Sequence, residues 1–492
     1  MMNALSVKCG HLFHYKKGQQ LHPPDTMTGR PPWRPTILDW LAPAPAGTIS
    51  VAFGMLCVML VPSSTYERLI GESFLLVGHR TILWAFVMLC LIAFAMGAGF
   101  VLLSRRLLCR PTRSNKSAVP TPGNDKTIWR SGAFGNIKLL TKATLVVSIL
   151  LEAVFAVSLV SAVDISAYVG SAGMPVLGSI FRMQLQEEIS RLSMNWLLPA
   201  TMILNCWAMV SMLSNSAKLS WSVRVRALLV VSLVLFCVCC LLTYTRGLLF
   251  FQVLILLAAA AAFPLGSHAH VHGRVRAQTV AQKRRKWSVV VFATLLLILV
   301  FIVIGRLRGE QSAETSGGVS LIRSMIGYFV SPYNRLAALL EGYLREPNTG
   351  SGFYSFQWLW DFPLVGKKLG FFSLGRKFGL DLPLSTYDNW LEQFAAVGSA
   401  GLNPSYNVST AFGFAFADFG WKAPIWFILY GMVSGWAYVG FRARIPECVV
   451  LYSYFLITVA GWGGTIMVAH ANIVIVVAVL LALRIARWLV KQ

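Results

Sequence analysis

The sequence predicts an all-α polytopic membrane protein of about ten transmembrane helices with one large, partly helical external loop. Composition is the first observation behind this prediction: the 492-residue chain is 56% hydrophobic and 13% charged, with a mean hydropathy of +0.64, unlike a soluble globular protein. The second is a series of apolar runs of the length that a helix needs to cross a bilayer. Because a helix satisfies its own backbone hydrogen bonds in lipid, helices are the expected spanning elements.

Ten apolar runs are long enough to be placed as spans. They lie at about 46–62, 81–103, 143–163, 196–213, 227–244, 248–266, 287–305, 422–441, 447–463 and 468–486. Residues 1–45 are polar, lack the apolar core of a signal peptide and are expected to form a disordered cytoplasmic tail. Residues 46–305 hold seven spans with basic cytoplasmic loops, 306–410 form the large outer loop, and 411–492 hold the last three spans and the C-terminal tail.

Basic residues are concentrated in the segments that alternating spans place on one side of the membrane. These segments hold 28 Lys and Arg against 4 acids, whereas the segments on the other side hold 14 basic residues against 13 acids. Cytoplasmic loops of membrane proteins have such an excess of Lys and Arg. We therefore expect both termini inside and the loop 306–410 outside. The net charge of +24 then reflects topology and contact with anionic membrane lipids, and nucleic acid is not expected as a partner.

Cysteine and histidine do not indicate a metal site. All nine cysteines lie in predicted spans or inside segments, so no disulfide is expected. The "CVCC" run at 237–240 has no further ligands nearby and fits a lipid-phase helix better than a metal centre. The histidines of 268–274 belong to a basic inside loop, for which a solvated loop is favoured over a metal site. We expect neither a metal nor a cofactor.

The outer loop 306–410 is too long for a simple connection and is expected to fold. The helical spacing of apolar residues at 321–344 predicts helices that lie on the membrane or cover a cavity, and the aromatic stretch 352–372 is typical of a bilayer interface. The loop is rich in arginine, whose fork of donors matches the oxygens of a lipid pyrophosphate. The alternative is that these arginines reach the lipid interface or pair with the acids of the loop.

Two charged residues outside this loop occupy unusual positions. Arg246 stands with Gly247 in "LLTYTRGLLFFQ" (241–252), where it divides two apolar runs. Its turn is predicted outside, where topology does not favour a basic residue. Anion binding at the outer surface is one reason for it, and contact with lipid headgroups is the alternative. Glu152 lies in the middle of the third span, which makes it either functional or paired inside the bundle.

Three segments can be compared with a known family. The first is "TYTRGLLFF" (243–251), a small-polar, Arg-Gly turn between two mid-chain spans. The second is the single large outer loop, which opens with "IGRLRGE" (304–310) and "YFVSPYNRLAALLEG" (328–342). The third, 407–440, has Asn-x-x-Thr, then Asp-Phe-Gly, then an apolar span. Together they resemble the Wzy-type polymerases of bacterial surface polysaccharides, over roughly residues 225–441.

This resemblance implies a metal-independent, GT-C-like glycosyltransferase of the bacterial inner membrane, with its large loop in the periplasm. Its substrates would be oligosaccharides linked to undecaprenyl pyrophosphate. The growing chain leaves its lipid and joins the non-reducing end of a new lipid-linked repeat unit. The product would be an O-antigen of lipopolysaccharide, a capsule or an exopolysaccharide, and a chain-length regulator and a flippase would be candidate protein partners.

The chemistry of this reaction suggests roles for particular residues. Fixed cations must stabilise the leaving pyrophosphate. The candidates, in order of preference, are Arg246, Arg306, Arg308, Arg323, Arg335 and Arg376. The acceptor hydroxyl needs positioning, which a general base would assist. Because the outer loop has no histidine, the candidate bases are the carboxylates of Asp388, Glu392 and Glu310. Capping, local pairing or support of the site is expected for Asn407, Thr410 and Asp418.

Two alternatives to a polymerase remain at this stage. An O-antigen ligase shares the architecture, but such ligases use a histidine of the large outer loop, and this loop has none. A flippase for lipid-linked sugars would be expected to have charges along a path through its spans. The predicted spans hold almost none beyond Glu152, which favours chemistry at the surface.

Overall fold

The structure, a computed structural model, describes residues 40–108, 128–162, 194, 196–215, 221–243, 246–262, 317–362, 371–406, 409–463, 470 and 472–490. Every regular element among them is a helix, which confirms the all-α class for this part of the chain. The α-helices are α1 (Pro43–Leu60), α2 (Ser63–Ile70), α3 (Leu76–Leu108), α4 (Ile128–Ala162), α5 (Leu197–Asn215), α6 (Val223–Leu242), α7 (Arg246–Ala262), α8 (Gly317–Phe329), α9 (Ser331–Leu340), α10 (Gln357–Trp360), α11 (Phe371–Lys377), α12 (Thr386–Ser399), α13 (Ala411–Phe419), α14 (Ala423–Arg442), α15 (Pro446–Ala460) and α16 (Asn472–Leu489). Short 3-10 turns occupy Pro404–Tyr406 and Gly420–Lys422.

Seven helical stretches of the described residues are long and apolar enough to cross a membrane. They are α1, α3, α4, α5, α6, the consecutive pair α13 and α14, and α16. Two further apolar helices, α7 and α15, are shorter. These nine coincide with nine of the ten predicted spans, and the predicted span 287–305 lies outside the described residues. The membrane-spanning character of the chain is thus confirmed, while the number of spans and their orientation stay predictions.

The described residues of the predicted outer loop, 317–362 and 371–406, are called the cap below. Its first two helices, α8 and α9, confirm the helical spacing seen at 321–344. α8 exposes apolar side chains such as Met325 and Phe329, as a helix on a membrane surface would. α9 does not lie on the membrane surface, the first of the two predicted alternatives, because every residue from Ser331 to Leu339 is buried. It inserts into the bundle, where it packs against α3 and α13.

The ends of several membrane helices gather around α9. The ring of Tyr333 packs against Gly54, near the end of α1, and against Gly463, just after α15. Asn334 Oδ1 accepts a hydrogen bond of 2.8 Å from Leu75 N, just before α3. These helix ends therefore share one face of the bundle, which we call the cap face.

A second set of helix ends forms the opposite face. Glu447, at the start of α15, pairs with Arg484 at 3.5 Å and with Arg487 at 3.3 Å, both near the end of α16. Asn136 of α4 donates from Nδ2 to Val490 O at 2.8 Å. All these residues belong to helix ends that the charge pattern assigns to the cytoplasm. The orientation of the spans relative to the membrane stays a prediction.

Glycines bring α3 and α14 into backbone contact. A Cβ on Gly97 would lie 2.0 Å from Ile428 O, and one on Gly431 would lie 2.1 Å from Phe94 O. A Cβ on Gly435 would also meet the backbone of α3, at 3.0 Å. Small residues permit this approach between helices in lipid, where packing and not the hydrophobic effect drives association.

Candidate functional site

Glu72 and Arg335 form a buried ion pair where α9 enters the bundle. Arg335 Nη2 lies 3.2 Å from Glu72 Oε2, Nη1 lies 3.3 Å from Oε1, and neither side chain is exposed to solvent. Nη2 also donates to Asn403 O at 2.7 Å. Both arms of the guanidinium fork thus contact the carboxylate, which is the strong form of this interaction. The pair joins the cap to the short connection between α2 and α3.

Local sequence explains how both partners reach this position. Gly71 ends α2 in the left-handed conformation, with φ of 78°, which glycine adopts without a steric penalty. Glu72 follows directly and lies in the connection to α3. On α9, Ser331 and Arg335 are one turn apart and share a face. Pro332 occupies the first turn of α9, where its missing N–H is tolerated.

Further donors surround the carboxylate of Glu72. Asn334 Nδ2 donates to Oε1 at 3.1 Å, and Asn403 N donates to Oε2 at 2.7 Å. Tyr66 OH hydrogen-bonds Oε1 and lies 3.0 Å from Ser331 Oγ. Burial and the charge of Glu72 raise the pKa of Tyr66, so the phenol keeps its proton. The carboxylate is fully hydrogen-bonded, as a buried charge requires.

This geometry bears on the predicted pyrophosphate role of Arg335. Its guanidinium donates to Glu72 and to a backbone carbonyl and has no exposed surface. Arg335 must therefore part from Glu72 before it can bind another anion. We interpret the pair as the joint that fixes the cap to the bundle, and direct contact of Arg335 with a pyrophosphate stays a prediction.

Two other predicted arginines, Arg323 and Arg376, lie on the cap. Arg323 is exposed on α8 and hydrogen-bonds the phenol of Tyr406, whose pKa is raised by burial. Arg376 lies on α11, and its Nη1 donates to Pro383 O at 2.8 Å. Because Arg323 is the more exposed of the two, it is better placed to meet an anion from solvent or from the membrane surface.

Arg246 is the first residue of α7, after the turn that follows α6. Thr243 ends α6 by donating from Oγ1 to Cys239 O at 3.0 Å. The free N–H groups and the dipole at a helix start favour an anion and disfavour a cation. The start of α7 is therefore a position where an anion is favoured. Contact between Arg246 and a pyrophosphate stays a prediction.

Asp388 and Glu392 lie one turn apart on α12 and have different surroundings. Ser385 caps α12: its Oγ accepts from Asp388 N at 3.2 Å and donates to Asp388 Oδ2 at 2.7 Å. Ser385 is thus the N-cap of α12, and the Asp388 carboxylate accepts from its hydroxyl in the first turn, where a negative charge is favourable, so Asp388 stabilises the start of the helix. Glu392 is exposed, and its Oε2 accepts from Asn348 Nδ2 at 3.1 Å. Glu392 is therefore the better placed of the two for a reaction at the surface.

Asn348 connects Glu392 to the rest of the cap. Its Nδ2 also donates to Asn389 Oδ1 at 2.9 Å. Its backbone has φ of 56°, a left-handed conformation that asparagine tolerates better than most residues. The hydrogen bond from the Asn348 amide thus orients the Glu392 carboxylate.

A second carboxyl of the cap, Glu346, is buried behind this surface. Its Oε2 accepts from Gln393 Nε2 at 3.2 Å, and its Oε1 has no hydrogen-bond partner among the described residues. Burial raises the pKa of Glu346 to about 7, against the opposing effects of the Gln393 hydrogen bond and the charge of Arg335. Burial also raises the pKa of Tyr354, whose OH donates to Pro347 O at 2.7 Å. Carboxyls that titrate near neutral pH are common at functional sites.

Thr410 and Asp418 have structural partners around α13. Thr410 is its N-cap, with Oγ1 accepting from Gly413 N at 2.9 Å. Asp418 accepts from Ser355 N at 2.6 Å, which ties the cap to α13. Of the roles expected for Asp418, the structure thus shows support of the cap, because the cap brings the backbone N–H groups of Tyr354 and Ser355 to this carboxylate.

Four predicted site residues lie outside the part of the chain that the structure describes. They are Arg306, Arg308, Glu310 and Asn407. Over the described residues, no group of three His, Cys, Asp or Glu side chains could hold a metal ion.

Two carboxyls with extensive interactions, Glu72 and Glu346, are absent from the sequence-predicted site. The position of Glu72 directly after the helix-ending Gly71 is a weak local signal, but its partner is 263 residues away. Glu346 has no distinctive local pattern, since its environment is built by α12.

Comparison with known proteins finds no match for the chain among protein-family models, curated proteins or solved structures. The interpretation of the site therefore depends on the geometry above and on the sequence resemblance.

Proposed function

We propose that the chain polymerises undecaprenyl-pyrophosphate-linked oligosaccharide repeat units at the outer face of the bacterial inner membrane, as a metal-independent glycosyltransferase. The supporting observation is the concentration of fixed polar groups at the cap face. The buried pair of Glu72 and Arg335 joins the cap to the bundle, and the cap exposes a cation, Arg323, and an oriented carboxylate, Glu392. This distribution favours chemistry at the membrane surface over passage through the bundle.

The proposed reaction exchanges one bond at the anomeric carbon of the growing chain. The bond between that carbon and the pyrophosphate oxygen breaks, and a bond to the acceptor hydroxyl oxygen forms. The lipid pyrophosphate leaves with additional negative charge, which Arg246 and Arg323 stabilise through their guanidinium forks. The proton of the acceptor hydroxyl passes to the carboxylate of Glu392, and Asn348 orients this base.

The proposal is tested with the purified protein in detergent and lipid-linked repeat units as the only substrate. We expect a ladder of lengthened glycans. A flippase would give no product, because detergent leaves no membrane to cross. Absence of product with intact substrate binding would refute the polymerase function.

Arg246 is tested in the same assay. Arg246→Ala should leave the protein level unchanged and give single-repeat glycans, and Arg246→Lys should restore part of the activity because the charge is kept but the fork is lost. Long chains made by Arg246→Ala would exclude an essential role for this arginine.

Glu392 and Asp388 form a matched pair on one helix. Glu392→Gln should lower turnover by about 10²–10⁴-fold, the usual contribution of a general base, with unchanged thermal stability. Asp388→Asn should keep most of the turnover and lose about 1 kcal/mol of stability, because it disturbs the cap of α12. Equal losses of turnover in both variants would contradict the assignment of Glu392.

A further inference from the structure

A polar cluster lies among the apolar side chains of three predicted spans. Glu152 and Ser148 are on α4, Asn205 is on α5 and Ser232 is on α6, and all four side chains are completely buried. None of the described hydrogen bonds of this cluster involves a residue proposed for catalysis, and the proposed reaction gives the cluster no role. In lipid, such residues are expensive and need full hydrogen bonding.

The four side chains make five polar contacts of 3.1 Å or less, and Ser232 Oγ is also 3.3 Å from Glu152 Oε1. Ser148 Oγ is 3.1 Å from Glu152 Oε1, and Ser232 Oγ is 3.1 Å from Oε2. Asn205 Oδ1 is 3.0 Å from Ser148 Oγ and 2.7 Å from Ser232 Oγ. Asn205 Nδ2 is 3.0 Å from Glu152 Oε1. Four of the five contacts join two oxygens, and each of these needs a hydrogen between them.

Hydrogen counting excludes a satisfied cluster with an ionised Glu152. Two serine hydroxyls then supply two hydrogens for the four oxygen–oxygen contacts. The Asn205 amide can be flipped, which exchanges the positions of its oxygen and nitrogen. After the flip, Nδ2 donates to both serine hydroxyls, and both hydroxyls donate to the carboxylate. The amide oxygen then faces Glu152 Oε1 with no hydrogen between them. One proton on the carboxyl supplies the missing hydrogen, and all five contacts are satisfied.

Within the part of the chain that the structure describes, no cation is paired with Glu152 to stabilise an ionised form. The titratable groups that interact with Glu152 are the thiols of α6, Cys237, Cys239 and Cys240. The titratable side chain of α5 is Cys206, and the arginines of α16, which also packs on α4, pair with Glu447. Among the described residues, no ion pair involves Glu152. An uncompensated charge in this position would cost several kcal/mol.

We propose that Glu152 is a proton-binding site in the membrane: a neutral carboxylic acid that donates to the amide oxygen of Asn205 and closes a hydrogen-bonded ring joining α4, α5 and α6. The ring links the spans without placing a charge in lipid. It does not depend on the polymerase function, so each can fail without the other.

The protonation state is read directly from infrared spectra of the full-length protein in lipid nanodiscs. The difference between wild type and Glu152→Gln should contain a carboxylic acid C=O band at about pH 6, well above the ordinary pKa of a glutamate. Gln at this position keeps an N–H donor and a carbonyl, so the variant should fold. A difference spectrum with a carboxylate band in place of the acid band would overturn the proposal.

Two further variants serve as controls. One separates the Glu152 band from the band of another buried acid, and the other tests the proposal if Glu152→Gln does not fold. Glu346→Gln is the matched control: it should leave the Glu152 band in place and remove a band that titrates near neutral pH. Ser232→Ala removes one donor to the carboxyl and should shift the Glu152 band to higher frequency. If Glu152→Gln does not fold, an unshifted carboxylic acid region in Ser232→Ala excludes the protonated ring.

Discussion

Two buried carboxyls, Glu72 and Glu152, have partners of different kinds. Glu72 lies at the cap face and contacts both arms of the Arg335 guanidinium together with amide and phenol donors. Glu152 lies between spans and contacts two serines and one asparagine, all neutral. One carboxyl is stabilised by charge and the other by hydrogen bonds alone.

Among the described residues, Glu72 has a charged partner and Glu152 has neutral ones because only Glu72 lies within reach of a cation from the cap. Arg335 belongs to the cap, so α9 brings its charge to Glu72 from a segment that is folded outside the spans. A cation for Glu152 would itself have to be placed among apolar helices, at a cost comparable to that of the acid. The charged contact therefore joins two parts of the fold, and the neutral contact holds neighbouring spans together.

Loss of the cation should have the largest effect. Arg335→Ala leaves Glu72 buried without a counter-charge, and we expect a loss of about 3–5 kcal/mol in unfolding free energy. Thermal unfolding in detergent measures the loss, and limited proteolysis shows whether the cap detaches first. The double variant Glu72→Gln, Arg335→Met removes both charges and should recover most of the stability. Wild-type stability in Arg335→Ala would contradict the role of this pair.

Glu346 is an intermediate case, with one neutral partner and a raised pKa. Its pKa is about 7 in the folded protein and about 4.3 in an unfolded chain. Between these values the unfolded chain has lost the proton that the folded protein keeps. The stability contributed by this group therefore falls as pH rises from about 4 to about 7, by about 4 kcal/mol, and is constant above that range.

The measurement compares melting temperatures at about pH 5 and about pH 8. Between these two pH values, the melting temperature of wild type should fall further than that of Glu346→Gln, because the variant has no carboxyl whose protonation contributes to stability. The same pH response in both proteins would show that Glu346 does not titrate in this window.

Removal of one neutral donor should have the smallest effect. Ser232→Ala leaves Glu152 with its other partners, and a single hydrogen bond contributes about 1 kcal/mol. Thermal unfolding should show this modest loss at every pH near neutrality. A loss as large as that of Arg335→Ala would mean that the ring bears a charge, and the contrast between the two carboxyls would disappear.

The spans were the most predictable part of the fold. The length of an apolar run is set directly by the thickness of the bilayer, so α1 and α3–α6 follow from the sequence alone. The burial of α9 could not be predicted in this way. The spacing of its polar residues is the same whether the helix is exposed to water or buried against Glu72. Burial depends on Glu72, which is 263 residues away from Arg335 in the sequence.

The candidate site was predictable in part for similar reasons. The Ser-x-x-Asp pattern at Ser385 and Asp388 is a local capping signal, and the structure uses it as such. The orientation of Glu392 by Asn348 depends on a contact across 44 residues, which no local pattern reveals. Sequence reasoning could therefore name the acids of the cap but could not separate the structural acid from the exposed one.

The glycine contact between α3 and α14 limits where a lipid can enter between helices. With a carbonyl of one helix against a glycine of the other, the two backbones leave no room for a hydrocarbon chain between them. For the proposed polymerase, a polyprenyl tail would therefore approach from another side of the bundle. The exposed apolar side chains of α8 form such a surface on the same helix as Arg323, and there Phe329 meets Phe53 of α1 with ring centres 5.5 Å apart.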